Sequence, residues 1–469
     1  MSTRFAFTAS VLAVALLGCA SNSTDKKMAA DNVYGKFPVT EKSYTGSKTN
    51  SVSYSGQIAR HVLHDTLKKL ANSGNGSANP ALKAKMMSYY AGKDKNRKII
   101  APATKKAFIV AETDVDQISK GKNLIGKTYK GTITGMPNNM TGPELVKFWI
   151  DKASSAKKGY DMEHGYQYGQ LISKFIMGAV SYNQAVDNYL DEKLRADNKP
   201  NNKPYKKGAY YTGKEHSWDE GFGYFGTPAH TLTLTARQVY EINKLGSKSK
   251  NPKEALKAAD YNGDGKVNLK SEMTFGPAYY AAGLDAATYN AGNQTTYLTD
   301  ITTAFLNGRK LIASANGKAL TDAQRATLRG YASTINDNWT NVLAEAAHRY
   351  AGLVHKDMEK IQTIIEAKGN TGKALKAYMK HWGELKGFAL ALQTGKTKHG
   401  ATSAQMNRLI GVGPLMPNLQ QVVDIDKSGN YVKAKGPSWG AYQANMANVQ
   451  KQLVKTYGIR AREHDVTGK

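Results

Sequence analysis

The chain has 469 residues, and 41% of them are hydrophobic, which is enough apolar material for a sizeable folded core. This composition excludes an intrinsically disordered protein. The formal net charge is +28 at pH 7, a balance that often marks nucleic-acid-binding proteins, but the export signal at the N-terminus argues against nucleic acid as a partner.

Residues 1–18 have the pattern of an export signal. Arg4 precedes a short apolar stretch that is too brief to span a bilayer as a permanent helix. The stretch ends in LLGCA, which contains the only cysteine of the chain, Cys19. A small residue before that cysteine is typical of bacterial lipoprotein signals, in which cleavage precedes the cysteine and the new N-terminal cysteine is acylated. We predict a lipid anchor at Cys19; an ordinary signal peptide with an incidental cysteine is the alternative.

The predicted anchor also bears on location and chemistry. Ala20 follows Cys19, where lipoproteins retained on the inner membrane tend to have Asp. We therefore expect an outer-membrane lipoprotein of the cell envelope, facing the periplasm or the surface. Lipidation of Cys19 would leave no thiol for disulfides or cysteine catalysis. The oligomeric state is left open.

The segments after the signal differ in composition. Residues 19–50 are polar without a sustained period and predict a flexible tether. Helical patterns dominate residues 51–245 and 296–469, and the segment 246–295 between them is richer in Gly, Asn and Lys. One helix start is marked by Thr141 with Glu144 three residues later, the spacing of a capping box. Strand-like alternation is limited to short pieces at 127–135 and 230–235, and the long pattern at 321–367 could divide into two helices. The fold class predicted is mainly α, with two helical bundles joined by a connecting segment.

A short element recurs in the two halves of the chain. Both copies fit W-x-E-x-x-G-aromatic, and a histidine precedes each of them. The first copy is His216, Trp218, Glu220, Gly223 and Tyr224, and the second is His381, Trp382, Glu384, Gly387 and Phe388. The simplest cause is a duplication that produced two related bundles.

The connecting segment contains DYNGDGKVNLKSE, which has the spacing of a calcium-binding loop. Asp260, Asn262 and Asp264 occupy positions one, three and five, and Lys266 at position seven would offer its carbonyl oxygen. Position twelve is Ser271, and Glu272 follows one residue late. We predict a structural calcium ion here; the alternative is a solvated turn rich in Asp and Asn. The similar beginning at Asp424 lacks a downstream carboxylate and is predicted to be a turn.

Histidine and carboxylate pairs at helical spacing suggest a second metal site. His216 lies three and four residues from Asp219 and Glu220, and His381 lies three residues from Glu384. Imidazole and carboxylate together suit iron, zinc or manganese. A hydrogen bond on a helix surface is the alternative for any single pair.

Several motifs together resemble a family of bacterial lipoproteins known only as domain of unknown function 4856. They are HSWDEGFGYFG (His216 to Gly226), YSGQIAR, DYNGDGKVNLKSE and ELKGFALALQ. The resemblance covers nearly all of the chain after the predicted signal. That family is distantly similar to the imelysins, envelope proteins of two related helical bundles that are associated with iron acquisition. The resemblance thus implies an imelysin-like pseudo-duplication.

Imelysins contain a G-x-H-x-x-E element that was once taken as a sign of metallopeptidase activity. Here His381 and Glu384 give H-x-x-E without the glycine, and His216 is followed at this spacing by Asp219. The chain has no nucleophile elbow, no H-E-x-x-H motif and no phosphate-binding glycine loop, so no catalytic residue is predicted. The question whether the protein is an enzyme is left open, but an enzymatic function is not favoured.

The sequence therefore favours a lipid-anchored binding protein of the cell envelope. It would bind iron, zinc or heme between the bundles through His216, Asp219, Glu220, His381 and Glu384. An adaptor lipoprotein that binds an anionic envelope polymer or an outer-membrane receptor is the second hypothesis, because the chain is strongly basic. A metallopeptidase-like hydrolase is the third, and it would need a further metal ligand.

Overall fold

The computed structural model describes residues 32–196, 198–247, 251–288 and 293–468. The predicted signal and Cys19 lie outside the described residues. Within the described ranges the chain forms thirteen helices, which we number in chain order. They are α1 (Ser55–Ala71), α2 (Pro80–Tyr90), α3 (Gly142–Ser155), α4 (Tyr168–Ile176), α5 (Gly213–Phe225), α6 (Ala236–Asn243), α7 (Pro252–Ala259), α8 (Gly276–Asp285), α9 (Tyr297–Ser314), α10 (Asp322–Glu366), α11 (Gly372–Ala391), α12 (Gly400–Ile410) and α13 (Trp439–Tyr457).

Four short strands form two antiparallel hairpins. Strands β1 (Tyr160–Asp161) and β2 (Tyr166–Gln167) make one pair, and β3 (Gln420–Ile425) and β4 (Tyr431–Lys435) make the other. The stretch from Asp424 that is predicted to be a turn begins within β3, and the turn itself lies at residues 426–430, where Asp426 accepts backbone N–H groups. The strand-like pieces at 127–135 and 230–235 are not strands. Thr231–Thr233 forms a short 3₁₀ turn, since alternation over so few residues is a weak signal.

The predicted mainly α fold is confirmed. The predicted capping box is present at the start of α3, where Glu144 Oε2 accepts the N–H of Thr141 at 2.8 Å. Helix α10 is one unbroken helix of 45 residues, so the expected division of the 321–367 pattern does not occur. Helix α4 starts at Tyr168 and continues through π-helical turns to Tyr189.

One hydrophobic core extends through both halves of the chain. Helix α4 packs against α11, and α5 packs against α9, so each half contributes a helix to the other's packing. Four tryptophans from both halves have at most 1% of their surface exposed: Trp149, Trp218, Trp339 and Trp382. The predicted boundaries at residues 245 and 296 therefore do not divide the core.

Residues 32–54 are bound to the fold. Tyr34 is 1% exposed and stacks on Phe222 of α5, with ring centroids 3.8 Å apart. Thr40 Oγ1 donates to Glu215 Oε1 at 3.0 Å, and the backbone N–H of Ser53 donates to Asp219 Oδ2 at 3.0 Å. The predicted flexible tether over residues 19–50 is thus wrong from residue 32 onwards, because single side chains attach this polar stretch to α5.

Candidate functional site

His216 and Glu220 lie one turn apart on α5, as the sequence predicts. The His216 Nε2 atom is 3.8 Å from Glu220 Oε1, and the imidazole stacks on the ring of Tyr211. Glu220 Oε1 also accepts from Gln57 Nε2 at 2.8 Å and from the Tyr189 hydroxyl at 3.2 Å. Burial lowers the pKa of His216 to about 4, against the opposing effect of Glu220, so the imidazole is neutral at neutral pH.

Asp219 faces a different set of partners. Its Oδ1 atom accepts from Arg309 Nε at 2.9 Å and from the Tyr34 hydroxyl at 2.7 Å, and both Asp219 and Arg309 are 0% exposed. Glu215, also 0% exposed, accepts from Arg309 Nη1 at 3.2 Å. Asp219 therefore belongs to a buried ion-pair network, although burial raises its pKa to about 6 against the effect of Arg309.

His381 and Glu384 point to different neighbours on α11. His381 Nδ1 lies 2.6 Å from Asp357 Oδ2 of α10. Glu384, 4% exposed, accepts from the Tyr350 hydroxyl at 3.1 Å and lies 3.8 Å from Lys174 Nζ. Burial alone would raise the pKa of Glu384, but the neighbouring lysines, led by Lys174, hold it below its ordinary value.

Of the five residues of the expected transition-metal site, His216 and Glu220 contact each other, whereas Asp219, His381 and Glu384 have other partners. Among the residues that the structure describes, no three or more His, Cys, Asp and Glu side chains are placed to hold one metal ion. Iron, zinc and heme binding thus stay predictions without a described set of protein ligands.

The predicted calcium loop forms a compact turn. Asp260 accepts the backbone N–H groups of Gly263, Asp264 and Gly265, and Gly265 has the positive φ of +80° that the turn needs. Asp264 Oδ1 accepts the N–H of Lys266 at 2.9 Å, and Asn262 Oδ1 accepts the N–H of Asp264 at 3.0 Å. The predicted oxygen ligands therefore sit on one loop, but their side chains are occupied by backbone amides.

Glu272 turns back toward the start of this loop. Although it stands one position late, its Oε1 atom accepts the N–H groups of Tyr261 and Asn262 at 3.1 and 3.2 Å. Its Oε2 atom accepts the N–H of Asn268 at 2.8 Å. A turn at residues 269–272 places this carboxylate beside the start of the loop.

A polar cavity of about 260 Å³, which we call the central cavity, lies where six helices meet. Helices α1, α4, α6, α8, α10 and α11 supply its walls. Its volume is slightly below the roughly 300–1,000 Å³ of typical ligand pockets, which suits a small ligand. The only side chain from the predicted metal site that lines it is Glu384.

Positive charge dominates the walls of this cavity. Its five cationic side chains are Lys68, Lys174, Lys244, Arg349 and Lys380. Its two carboxylates are Asp65 and Glu384. Arg349 lies 3.7 Å from Glu463, which offsets its charge, but four lysines still face two carboxylates. Such a wall attracts anions and repels bare metal cations.

The deepest lysine is Lys174. It is 4% exposed and lies 5.2 Å from the ring centre of Tyr280. Burial lowers its pKa, and burial together with the charge of Lys174 lowers the pKa of Lys68 to about 8. Lys68 therefore still favours the protonated state at pH 7, and an anion between Lys68 and Lys174 would remove part of their mutual repulsion.

Sequence reasoning did not find these lysines. Lys68 and Lys174 lie on amphipathic helices in a chain with many lysines, and nothing in their local pattern separates them from surface residues. His64 also lines the cavity and contacts Ser173 Oγ through Nε2 at 3.0 Å. The cluster of charges is visible only in the folded structure, because helices that are distant in the sequence bring the lysines together.

Comparison with protein families gives one match. Residues 41–255 match the model described as Domain of unknown function (DUF4856). Residues 41–255 are a DUF4856 domain. The predicted family is therefore confirmed for a little less than half of the chain, and the DYNGDGKVNLKSE and ELKGFALALQ motifs lie beyond the matched range. The more distant relation to imelysins stays a prediction.

The cavity lies between the DUF4856 domain and the helices that follow it. The domain supplies Lys68, Lys174 and Lys244, and the later helices supply Arg349, Lys380 and Glu384. Comparison with curated proteins and with solved structures finds no match to this chain. Within the part of the chain that the structure describes, none of the helices combines the length and apolar character needed to cross a membrane.

Proposed function

We propose that this protein is a lipid-anchored binding protein of the cell envelope and that its central cavity takes a small anionic ligand. The observation that supports it is the excess of cationic side chains around a buried polar space. The predicted lipid anchor at Cys19 supplies the location. A binding role agrees with the lack of a predicted catalytic residue.

The chemistry of the cavity limits the kind of ligand. Lys174, Lys68 and Lys380 would donate charge-assisted hydrogen bonds to phosphate or carboxylate oxygens. A bare iron or zinc ion would meet repulsion from the same groups, and a heme is far larger than about 260 Å³. Within a role in metal acquisition, the cavity suits a small anionic chelate of the metal.

Binding of citrate and inorganic phosphate to the full-length chain tests this proposal. We expect Lys174→Met to weaken binding about 30-fold, which corresponds to the loss of roughly 2 kcal/mol from one charge-assisted contact. Isothermal titration calorimetry measures it. Lys376→Met, at an exposed position of the same helix as Glu384, is the matched control and should bind as the wild type does.

A second variant distinguishes a lost anion contact from misfolding of the Lys174→Met variant. Glu384→Gln removes one negative charge from the cavity, so we expect tighter anion binding, opposite in sign to Lys174→Met. If the wild type binds neither anion, or if all three variants bind equally, the cavity is not an anion site. Retained binding to an anionic polysaccharide in that case would favour the adaptor hypothesis, and such binding would fall steeply with salt. A hydrolase has no support from a described set of three metal ligands.

We also propose that the two halves arose by duplication, because the repeated element has matching surroundings. Trp218 and Trp382 are both 0% exposed, and each donates its indole N–H at 2.8 Å. Glu220 and Glu384 each accept from a tyrosine hydroxyl of an earlier helical segment.

The glycines of the element match as well. A Cβ atom at Gly223 would lie 2.7 Å from the Tyr54 Cβ, and one at Gly387 would lie 2.6 Å from the Lys174 Cβ. Both glycines therefore stand where two helices approach closely. The imelysin-like pseudo-duplication is supported by this correspondence of packing roles.

For the loop at residues 260–272 we propose a structural calcium ion. The loop's Val267 exchanges backbone hydrogen bonds with the 109–111 segment, with Val267 N 2.8 Å from Ile109 O and Ala111 N 2.9 Å from Val267 O. An ion would thus brace this segment against the loop. We expect calcium to raise the melting temperature of the wild type and to leave Asp260→Ala unchanged, as measured by differential scanning fluorimetry. Asp426→Ala, in the other Asp-containing turn, is the control and should respond as the wild type does; an equal response of Asp260→Ala would refute the site.

A further inference from the structure

A second basic recess shares no lining residue with the central cavity. It is a groove of about 560 Å³ between the end of the α4 continuation and the first half of α10, and we call it the arginine groove. Its floor is apolar and is formed by Val186, Leu190, Leu194 and Ala332. These four side chains are at most 7% exposed.

The cations of the arginine groove stand above this floor. They are Arg195, Arg325, Arg329 and Lys396. Three of the twelve arginines of a lysine-rich chain thus line one recess. Arg325 and Arg329 are four residues apart on α10 and so lie on the same face as Ala332. Arginine matters here because its planar fork binds phosphate oxygens in pairs, which the ammonium of lysine does not.

Two of these cations already have acidic partners. Lys396 Nζ lies 3.4 Å from Asp191 Oδ1, and Arg325 pairs with Asp322. Among the described residues, neither Arg195 nor Arg329 has an ion-pair partner. Both are exposed at the rim of the groove. The groove therefore presents two guanidinium groups that have no ion-pair partner among the described residues, beside a buried apolar floor.

We propose that the arginine groove binds a phosphate monoester that carries an apolar chain. The phosphate has a charge near −2 at pH 7 and three terminal oxygens, which match two guanidinium forks. The apolar chain would cover Leu190, Leu194 and Val186. The groove is separate from the anion site proposed in the central cavity, and the two share no lining residue.

Titration of three ligands into the full-length chain separates the contribution of the phosphate from that of the apolar chain. The ligands are hexyl phosphate, inorganic phosphate and hexanol. We expect hexyl phosphate to bind at least about 10-fold more tightly than inorganic phosphate, because the floor would bury several methylene groups. Hexanol should bind weakly, since it lacks the charge. Equal affinity for hexyl phosphate and inorganic phosphate would overturn the role of the floor.

Substitutions of groove residues test whether hexyl phosphate binds in the arginine groove. Arg329→Ala and Arg195→Ala are each expected to weaken hexyl phosphate binding about 10-fold or more, the effect of losing a charged hydrogen-bonding partner. Arg408→Ala, at an exposed arginine of α12, is the control and should leave binding unchanged. Lys174→Met should also leave it unchanged, and if it abolishes hexyl phosphate binding the ligand sits in the central cavity and the proposal is wrong. These rim arginines are exposed, so their removal should not unfold the chain.

The source of the phosphate ester is distinguished by competition. Vesicles of phosphatidylcholine that contain phosphatidate would displace hexyl phosphate if the natural ligand is a membrane lipid, whereas pure phosphatidylcholine vesicles would not. Failure of both kinds of vesicle to compete assigns a free ester. Displacement by both kinds equally would show that charge plays no part, which contradicts the proposal.

Discussion

Replacing Arg309 with methionine is expected to lower the free energy of unfolding by about 3–5 kcal/mol, the usual cost of breaking a buried ion pair from one side. Arg309 is 0% exposed and lies 2.9 Å from Asp219 Oδ1 and 3.2 Å from Glu215 Oε1. Methionine fills a similar length but has no charge, so two carboxylates would remain buried without a cation. Their desolvation is then uncompensated.

The same substitution would loosen the N-terminal segment. Arg309 Nη2 donates to the Ser51 hydroxyl at 2.5 Å, and its guanidinium lies 4.6 Å from the ring centre of Phe37. Residues 34–54 are thus attached to α5 and α9 through one cation and its two acids. Faster proteolysis in this segment should accompany the loss of stability.

Urea denaturation, followed by circular dichroism, measures the effect. Arg408→Met, at an exposed position, is the matched control and should change the free energy of unfolding by less than about 0.5 kcal/mol. Adding Glu215→Gln and Asp219→Asn to Arg309→Met should restore part of the loss, because neutral amides cost less to bury. A loss below about 1 kcal/mol would mean that water reaches the pair, against the burial described here.

Local rules predicted local structure in this chain. The Thr141–Glu144 capping box follows from neighbours within a few residues, and it is present at the start of α3. The N-terminal segment shows where such rules end. Tyr34, Thr40 and Ser51 attach polar, aperiodic chain to side chains more than 150 positions away, and no local period records such contacts.

The candidate site shows the same limit. The repeated element marks buried positions on α5 and α11, among them Trp218 and Trp382, but Asp219 pairs with Arg309, a residue ninety positions away that no motif singled out. Glu384 was named for a metal, whereas its nearest charged neighbour is Lys174. Residue types at helical spacing thus predict which side chains share a face. The charge of the surface opposite decides their chemistry, and that is a property of the packed helices.

A second large effect is expected from Lys386, which is 1% exposed on α11. Its Nζ atom donates to Gly135 O, Asn407 Oδ1 and Gly411 O at 2.8–3.0 Å, none of which is a carboxylate. Burial without a counter-charge lowers the pKa of Lys386 from 10.5 to about 7. The folded state therefore releases this proton at lower pH than the unfolded state does.

The sign of the pH dependence follows from linkage. Between about pH 7 and 10.5 the unfolded chain binds more protons at Lys386 than the folded chain, so the free energy of unfolding rises with pH. The slope from this one group is at most about 1.4 kcal/mol per pH unit. Below pH 7 both states are protonated, and the burial penalty is present in full.

The difference between wild type and Lys386→Met isolates this contribution from the other lysines. We expect the wild type to gain stability relative to the variant as the pH rises from 7 to 10, as measured by urea denaturation at each pH. Lys376→Met, exposed on the same helix, should run parallel to the wild type. A parallel course for Lys386→Met as well would contradict the lowered pKa. It would mean that three aligned oxygen acceptors stabilise the ammonium as well as bulk water does, since only an unchanged pKa gives no linkage between pH and folding.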